Sequence, residues 1–172
     1  MRTGGATALL VPHLAFLAAA VQSASVIVVE QSVNTSASAE RMWEVLTEHE
    51  CMPRWFPAIR KVTLDPPGQT ERNGLGAVRH VKALGPLVVE EVVEWDAPHR
   101  YAYVLLRGAP IRDHRGEVSV LETPQGARAT WSIRFRPMIP LSGLVLRPVM
   151  NRLARNLLRG AARFAESESS TA

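Results

Sequence analysis

Residues 127–136 carry the plainest pattern in the chain. Ala129, Trp131, Ile133 and Phe135 alternate with Arg128, Thr130, Ser132 and Arg134, the two-residue period of a strand with one apolar and one solvated face. Toward the N-terminus, residues 26–33 are rich in β-branched side chains and end in the polar cluster Asn34-Thr-Ser-Ala-Ser38. That predicts a first strand followed by a helix capped by Ser38. Met42, Trp43, Val45 and Leu46 then fall on one side of a helix, the face that would be buried against a sheet. Pro53 and Pro57 bracket a second short helical turn carrying Trp55 and Phe56. Strand character returns over 59–64 and, after the loop from Asp65 to Gly74, over 77–83, 87–95, 100–107 and 112–122. Gly or Pro stands at each boundary of this run, at Gly85-Pro86, Pro98, Gly108, Pro110, Pro124 and Gly126. Connections this short join antiparallel neighbours in a meander. After Pro140 the period lengthens to three and four residues at Leu146, Val149, Met150, Leu153, Leu157, Ala161 and Phe164. This predicts one long helix with its arginines opposite, kinked at or starting from Pro148, and a frayed tail over 167–172.

Composition narrows the class. A chain of 172 residues, 47% hydrophobic and 21% charged, fits one soluble globular domain. Lys and Arg exceed Asp and Glu by four, and the pI is about 10.0 because nearly all cations are arginines. The excess is modest and these arginines are scattered except along the last helix, so no nucleic-acid partner is expected. Cys51 is the one cysteine, so neither an internal disulfide nor a thiolate metal site is available. His49 stands two residues before it, a spacing that points the two side chains to different faces of a helix. Residues 1–25 differ from the rest: one arginine, no carboxylate, and the run Leu14-Ala-Phe-Leu-Ala-Ala-Ala-Val21. They read as a signal peptide, a membrane tether or an incidental extension. The domain proper is expected over 26–166.

One strand, two short helices, a run of strands and a long helix make the order of a helix-grip fold, and particular residues sharpen the likeness. The sequence resembles the START-like superfamily, specifically its polyketide cyclase/dehydrase and lipid-transport group, in several places. They are Ser38-Ala-Glu-Arg-Met-Trp-Glu-Val-Leu-Thr47, Pro53-Arg-Trp-Phe-Pro-Ala-Ile59, Gly76-Ala-Val-Arg79, Val92-Val-Glu-Trp-Asp-Ala-Pro-His-Arg-Tyr-Ala-Tyr103, Gly116-Glu-Val-Ser-Val120 and Ala129-Thr-Trp131. The resemblance implies an α+β domain: a curved antiparallel sheet of six or seven strands wrapped around the C-terminal helix, with a cavity that accepts a small hydrophobic molecule. It does not imply one reaction. It favours the cytoplasm, whereas a working leader would export or tether the protein. A monomer and a homodimer remain equally open.

No P-loop, His-Glu-x-x-His or Gly-x-Ser-x-Gly occurs, and Gly74-Leu-Gly76 leads into a strand, so no cofactor and no metal are expected. What remains are polar residues that alternation turns inward. Glu91 shares parity with Val89, Val93 and Trp95; Arg79 shares it with Ala77 and Val81 and could pair with Glu91. Arg112 and His114 share parity with Val118, and Tyr101 and Tyr103 with Leu105. Such a ring would hold a carboxylate, phenol or ketone, with Trp55, Phe56, Trp131 and Phe135 as walls. An enzyme reading, as cyclase, aromatase or dehydratase, would move protons through His114 with Tyr103 or Glu91, and Arg79 or Arg112 would stabilise an enolate. A third reading is a membrane-facing accessory protein held through residues 1–25 and the Arg-rich last helix. A one-residue slip at a strand end or bulge would turn every one of these side chains to solvent.

Overall fold

The computed structural model describes residues 25–169; the hydrophobic leader at 1–25 lies almost wholly outside them. The chain runs β1 (Ile27–Thr35), α1 (Ala39–Thr47), a 3-10 turn (His49–Cys51), α2 (Met52–Trp55), β2 (Lys61–Leu64), β3 (Val78–Lys82), β4 (Val88–Asp96), β5 (Arg100–Arg107), β6 (Ile111–Thr123), β7 (Gly126–Pro137) and α3 (Gly143–Ser169). This is the expected order, with strand ends displaced by a residue or two. Ser38 caps α1, its hydroxyl accepting from the Arg41 backbone N–H at 3.1 Å, and Met42, Trp43, Val45 and Leu46 are buried.

The seven strands form one antiparallel sheet in the order β1-β7-β6-β5-β4-β3-β2. Consecutive strands pair from β2 through β7; from β3 onward the connections are too short for a crossover, and the longer loop between β2 and β3 folds back to set Lys61 opposite Lys82. β1, separated by the helices, returns to close the far edge against β7, Ile27 opposite Phe135 and Thr35 opposite Ala127. The sheet curves, and α3 packs along β1, β7, α1 and α2 on its concave side. The core lies between them, including Val29, Val118, Val120, Ile133 and Phe135 from the sheet and Ala154, Leu157, Leu158 and Ala161 from the helix.

Two sequence expectations are corrected. α3 runs from Gly143 to Ser169, so Pro148 lies inside it instead of marking its start; the end of the expected polar tail, 170–172, lies outside the described residues. Val149, counted on the buried stripe, is half exposed, because the stripe narrows to Leu146, Met150 and Leu153.

Two irregularities govern what faces inward. Between β4 and β5, Val92 is opposite Tyr103 but Glu94 is opposite Ala102. Val93 is therefore an extra residue, and a single bulge reverses the inward parity of the strand. Between β6 and β7, Arg112 is opposite Arg136 and Arg115 is opposite Arg134. The extra residue there is Asp113, at φ 52°, a left-handed conformation that Asp tolerates better than most.

Candidate functional site

On β3, Arg79 points to the concave side and is only 1% exposed. Its Nε donates to Glu90 Oε2 at 2.8 Å, the residue directly opposite on β4. The expected partner, Glu91, sits opposite Val78 in the other row of the pleat. The inward row of β4 runs Glu90 and Val92 before the Val93 bulge and Trp95 after it, so parity counted back from Trp95 selects the wrong glutamate.

The guanidinium lies over the ring of Tyr103, 4.0 Å from its centroid, and its Nη1 is 3.4 Å from His49 Nδ1. An arginine can only donate, so this contact requires a bare Nδ1 on His49 and places the ring proton on Nε2, a buried atom with no partner. Burial, and then the adjacent Arg79 charge, holds His49 well below the ordinary imidazole pKa; the ring is neutral.

Tyr101 and Tyr103 follow one another on the inward face of β5. Tyr101 is completely buried, edge-on to Trp43 and His49, and its hydroxyl donates to the Leu46 carbonyl at 3.4 Å. Tyr103 Oη accepts from Trp131 Nε1 at 2.9 Å. Its ring fits because the residue opposite is Gly116: a Cβ there would overlap the Tyr103 ring and hydroxyl. Burial raises the pKa of both phenols, Glu90 adding to the effect at Tyr103, so both stay protonated.

His114 faces the same interior from β6, its ring centroid 5.5 Å from that of Tyr103, and burial lowers its pKa. Its Nδ1 is buried without a hydrogen-bond partner. Arg112 does not join it. The Asp113 bulge puts Arg112 opposite Arg136, in the row that alternates with buried Phe135 and Pro137. Trp131 and Phe135 are inward and buried as expected. Phe56 is half-buried against the core. Trp55 instead wedges against α3 at Gly160 and lines a separate hollow of about 250 Å³ with Arg41, Glu44, Cys51, Arg54 and Phe164.

The structure thus brings together Arg79, Tyr101, Tyr103, His114 and Trp131, and adds His49, Glu90, Trp43 and Trp95. Glu90 could have been found from sequence only by locating the bulge. His49 carried no signal at all, since it reaches the cluster through the turn after α1. Chemically the cluster is a neutral ion pair flanked by two uncharged imidazoles and two protonated phenols. Its carboxylate is already held by arginine, and the bare nitrogen of His49 faces Arg79, which leaves the unpartnered Nδ1 of His114 turned to the interior. Among those residues no group of three or more His, Cys, Asp or Glu is placed to hold a metal ion.

In front of this buried cluster the interior is not closed. Val81 on β3 and Leu105 on β5 face inward by register, and His114 on β6 does so against the Tyr103 ring, yet each stays partly accessible. So do Leu146, Met150 and Leu153 on the inner stripe of α3. The convex face differs, with a network of partly exposed ion pairs such as Arg115 to Glu94 at 2.6 Å.

Comparison with known proteins agrees with this architecture. An uncharacterized protein of Mycobacterium tuberculosis is 30% identical over 150 residues, covering 82% of this chain and 86% of that protein. Among solved structures, a START superfamily protein from Mycobacterium smegmatis superposes with a TM-score of 0.71 at 15% identity, covering 81% of this chain and 97% of that one. Norcoclaurine synthase from Thalictrum flavum, solved in complex with dopamine and hydroxybenzaldehyde, superposes with a TM-score of 0.67 at 14% identity, covering 97% and 98%. At these identities the two structures share the fold alone. The pattern of one family spans residues 26–166, and the chain belongs to that family, described as polyketide cyclase/dehydrase and lipid transport.

Proposed function

We propose that this protein binds a small, mostly apolar molecule between α3 and the concave face of β3–β6, with an uncharged oxygen of the ligand turned toward Tyr103 and His114. The observation that carries this reading is the amphipathic interior. Val81, Leu105, Leu146, Met150 and Leu153 form an incompletely buried apolar lining in front of a buried polar cluster. Half-covered apolar surface on the inside of a domain is a cost that a ligand would relieve, at roughly 25 cal/mol per Å² removed from water. Tyr103 accepts from Trp131 and keeps its own hydroxyl proton to donate. His114 Nδ1 lacks a partner in the protein. Together they suit a hydroxyl, ketone or phenol oxygen. A carboxylate is disfavoured because Glu90 already occupies Arg79, and a second anion would enter a site with no spare positive charge.

Matched ligands test this directly. Native mass spectrometry with dodecanol and dodecanoate should show a one-to-one complex with the alcohol and at least about tenfold weaker binding of the anion. Leu105→Trp, which fills the lining, should abolish uptake while the circular dichroism spectrum is unchanged. A protein that takes up neither ligand and is empty when purified from its own host would defeat the reading.

A further inference from the structure

The outward face of α3 is unlike the rest of the surface. At 100° per residue, Leu144, Val145 and Val149 share one side of the helix with Arg152, Arg155, Arg159 and Arg163. All seven are exposed. The apolar end continues into the preceding loop through Met138, Ile139 and Leu141, with Leu141 83% and Leu144 79% exposed. Large aliphatic side chains this exposed and this close in sequence exceed the scattered apolar residues of an ordinary surface. The charge is equally one-sided. Between Glu122 and Glu166 the chain has no carboxylate, and every charged residue is an arginine. From Leu144 to Arg163 the stripe is about 30 Å long, apolar at one end and cationic along the rest.

We propose that this face docks on an anionic phospholipid bilayer, with Leu141, Leu144, Val145 and Val149 entering the headgroup boundary and the arginines lying against the lipid phosphates. The two halves of the stripe match the two parts of such a surface. Apolar side chains gain from leaving water, and exposed guanidiniums gain from the negative leaflet potential. Either half alone would give weak association, and together they make an interfacial anchor. No described helix is long and apolar enough to cross a membrane. The inner side of the same helical segment carries Leu146, Met150 and Leu153, which line the concave interior; the docked face is thus the back of the interior's wall. The anchor stands whether or not that interior takes a ligand. β1 starts beside it, Ile27 Cδ1 lying 2.9 Å from the position a Cβ on Gly143 would take.

The test is co-sedimentation of the full chain with vesicles of mixed phosphatidylcholine and phosphatidylglycerol, and with vesicles of phosphatidylcholine alone. Wild type should sediment with the mixed vesicles, much less with the neutral ones, and be released by added salt. Leu141→Asp with Leu144→Asp should weaken partitioning at least about tenfold. Both sites are exposed; aspartate tolerates the left-handed backbone at position 141 and favours the first turn of a helix. Should that pair lower the melting temperature, Arg152→Glu with Arg159→Glu decides instead, by the same loss on mixed vesicles only. Three results would overturn the proposal. One is no sedimentation of wild type, and another is undiminished sedimentation of both variants, which would assign binding to residues 1–25. The third is a change from dimer to monomer by light scattering with vesicle binding unaltered, which would assign the face to a second copy of the chain.

Discussion

Replacing Glu90 by Gln keeps the shape of the side chain and removes the charge that stands against Arg79. The guanidinium is 1% exposed and the carboxylate 14%, so solvent does little to screen the pair. Removing one partner of a buried ion pair leaves the other charge uncompensated, at a cost of about 3–5 kcal/mol. The Tyr103 ring at 4.0 Å and His49 Nδ1 at 3.4 Å remain in place, and a desolvated cation over an aromatic face is worth roughly 2 kcal/mol. The carboxamide oxygen can still accept one hydrogen bond. The loss should therefore fall near the lower limit, about 3 kcal/mol, a large share of the roughly 5–15 kcal/mol that holds a domain together. In urea, with a slope of about 2 kcal/mol per molar, the unfolding midpoint should drop by about 1.5 M. Glu91→Gln, one residue along on the other row of the pleat, should shift stability by less than about 0.5 kcal/mol. Arg79→Met combined with Glu90→Leu should recover most of the loss, since a well-packed apolar pair often equals a buried ion pair. A Glu90→Gln protein within 1 kcal/mol of wild type would refute the reasoning, because Arg79 would then be solvated or otherwise paired.

Two further outcomes follow from the same cluster. His49 and His114 both have folded-state pKa values below that of a free imidazole, so below about pH 6.5 the unfolded chain binds protons that the folded one refuses. Stability is full above that pH and falls as pH drops through it, by up to about 1.4 kcal/mol per unit for each histidine. His49→Gln should remove about half of the slope measured by urea titrations between pH 7 and 5, and an unchanged slope would exclude His49 as the proton acceptor. Gly116→Ala should cost about 1–3 kcal/mol through overpacking, because its Cβ would occupy the Tyr103 ring. Adding Tyr103→Leu should restore part of the lost melting temperature, and a loss that merely adds would remove Tyr103 as the obstacle.

The architecture was legible because each element carries its own period. Ala129, Trp131, Ile133 and Phe135 could serve only a strand with one buried face, and all four are buried on β7. Met42, Trp43, Val45 and Leu46 after Ser38 could serve only a capped helix, and Ser38 does cap it. Arg79, Tyr101, Tyr103, His114, Trp131 and Phe135 face inward because the parity of β3, β5, β7 and the middle of β6 is unbroken through them.

Glu91 and Arg112 went astray for one common reason. A bulge is a single extra residue with no fixed sequence signature; Val93 and Asp113 look like their neighbours in sequence. The pairing partner decides it, since the extra residue exists only relative to the strand across from it. The arrangement of His49 against Arg79, and of Gly116 opposite Tyr103, belongs to the same level. Periodicity along the chain determined the elements, their order and which face of most is apolar. Register between strands decided which glutamate meets the buried arginine, because facing is inherited through hydrogen-bonded neighbours that lie far apart in sequence.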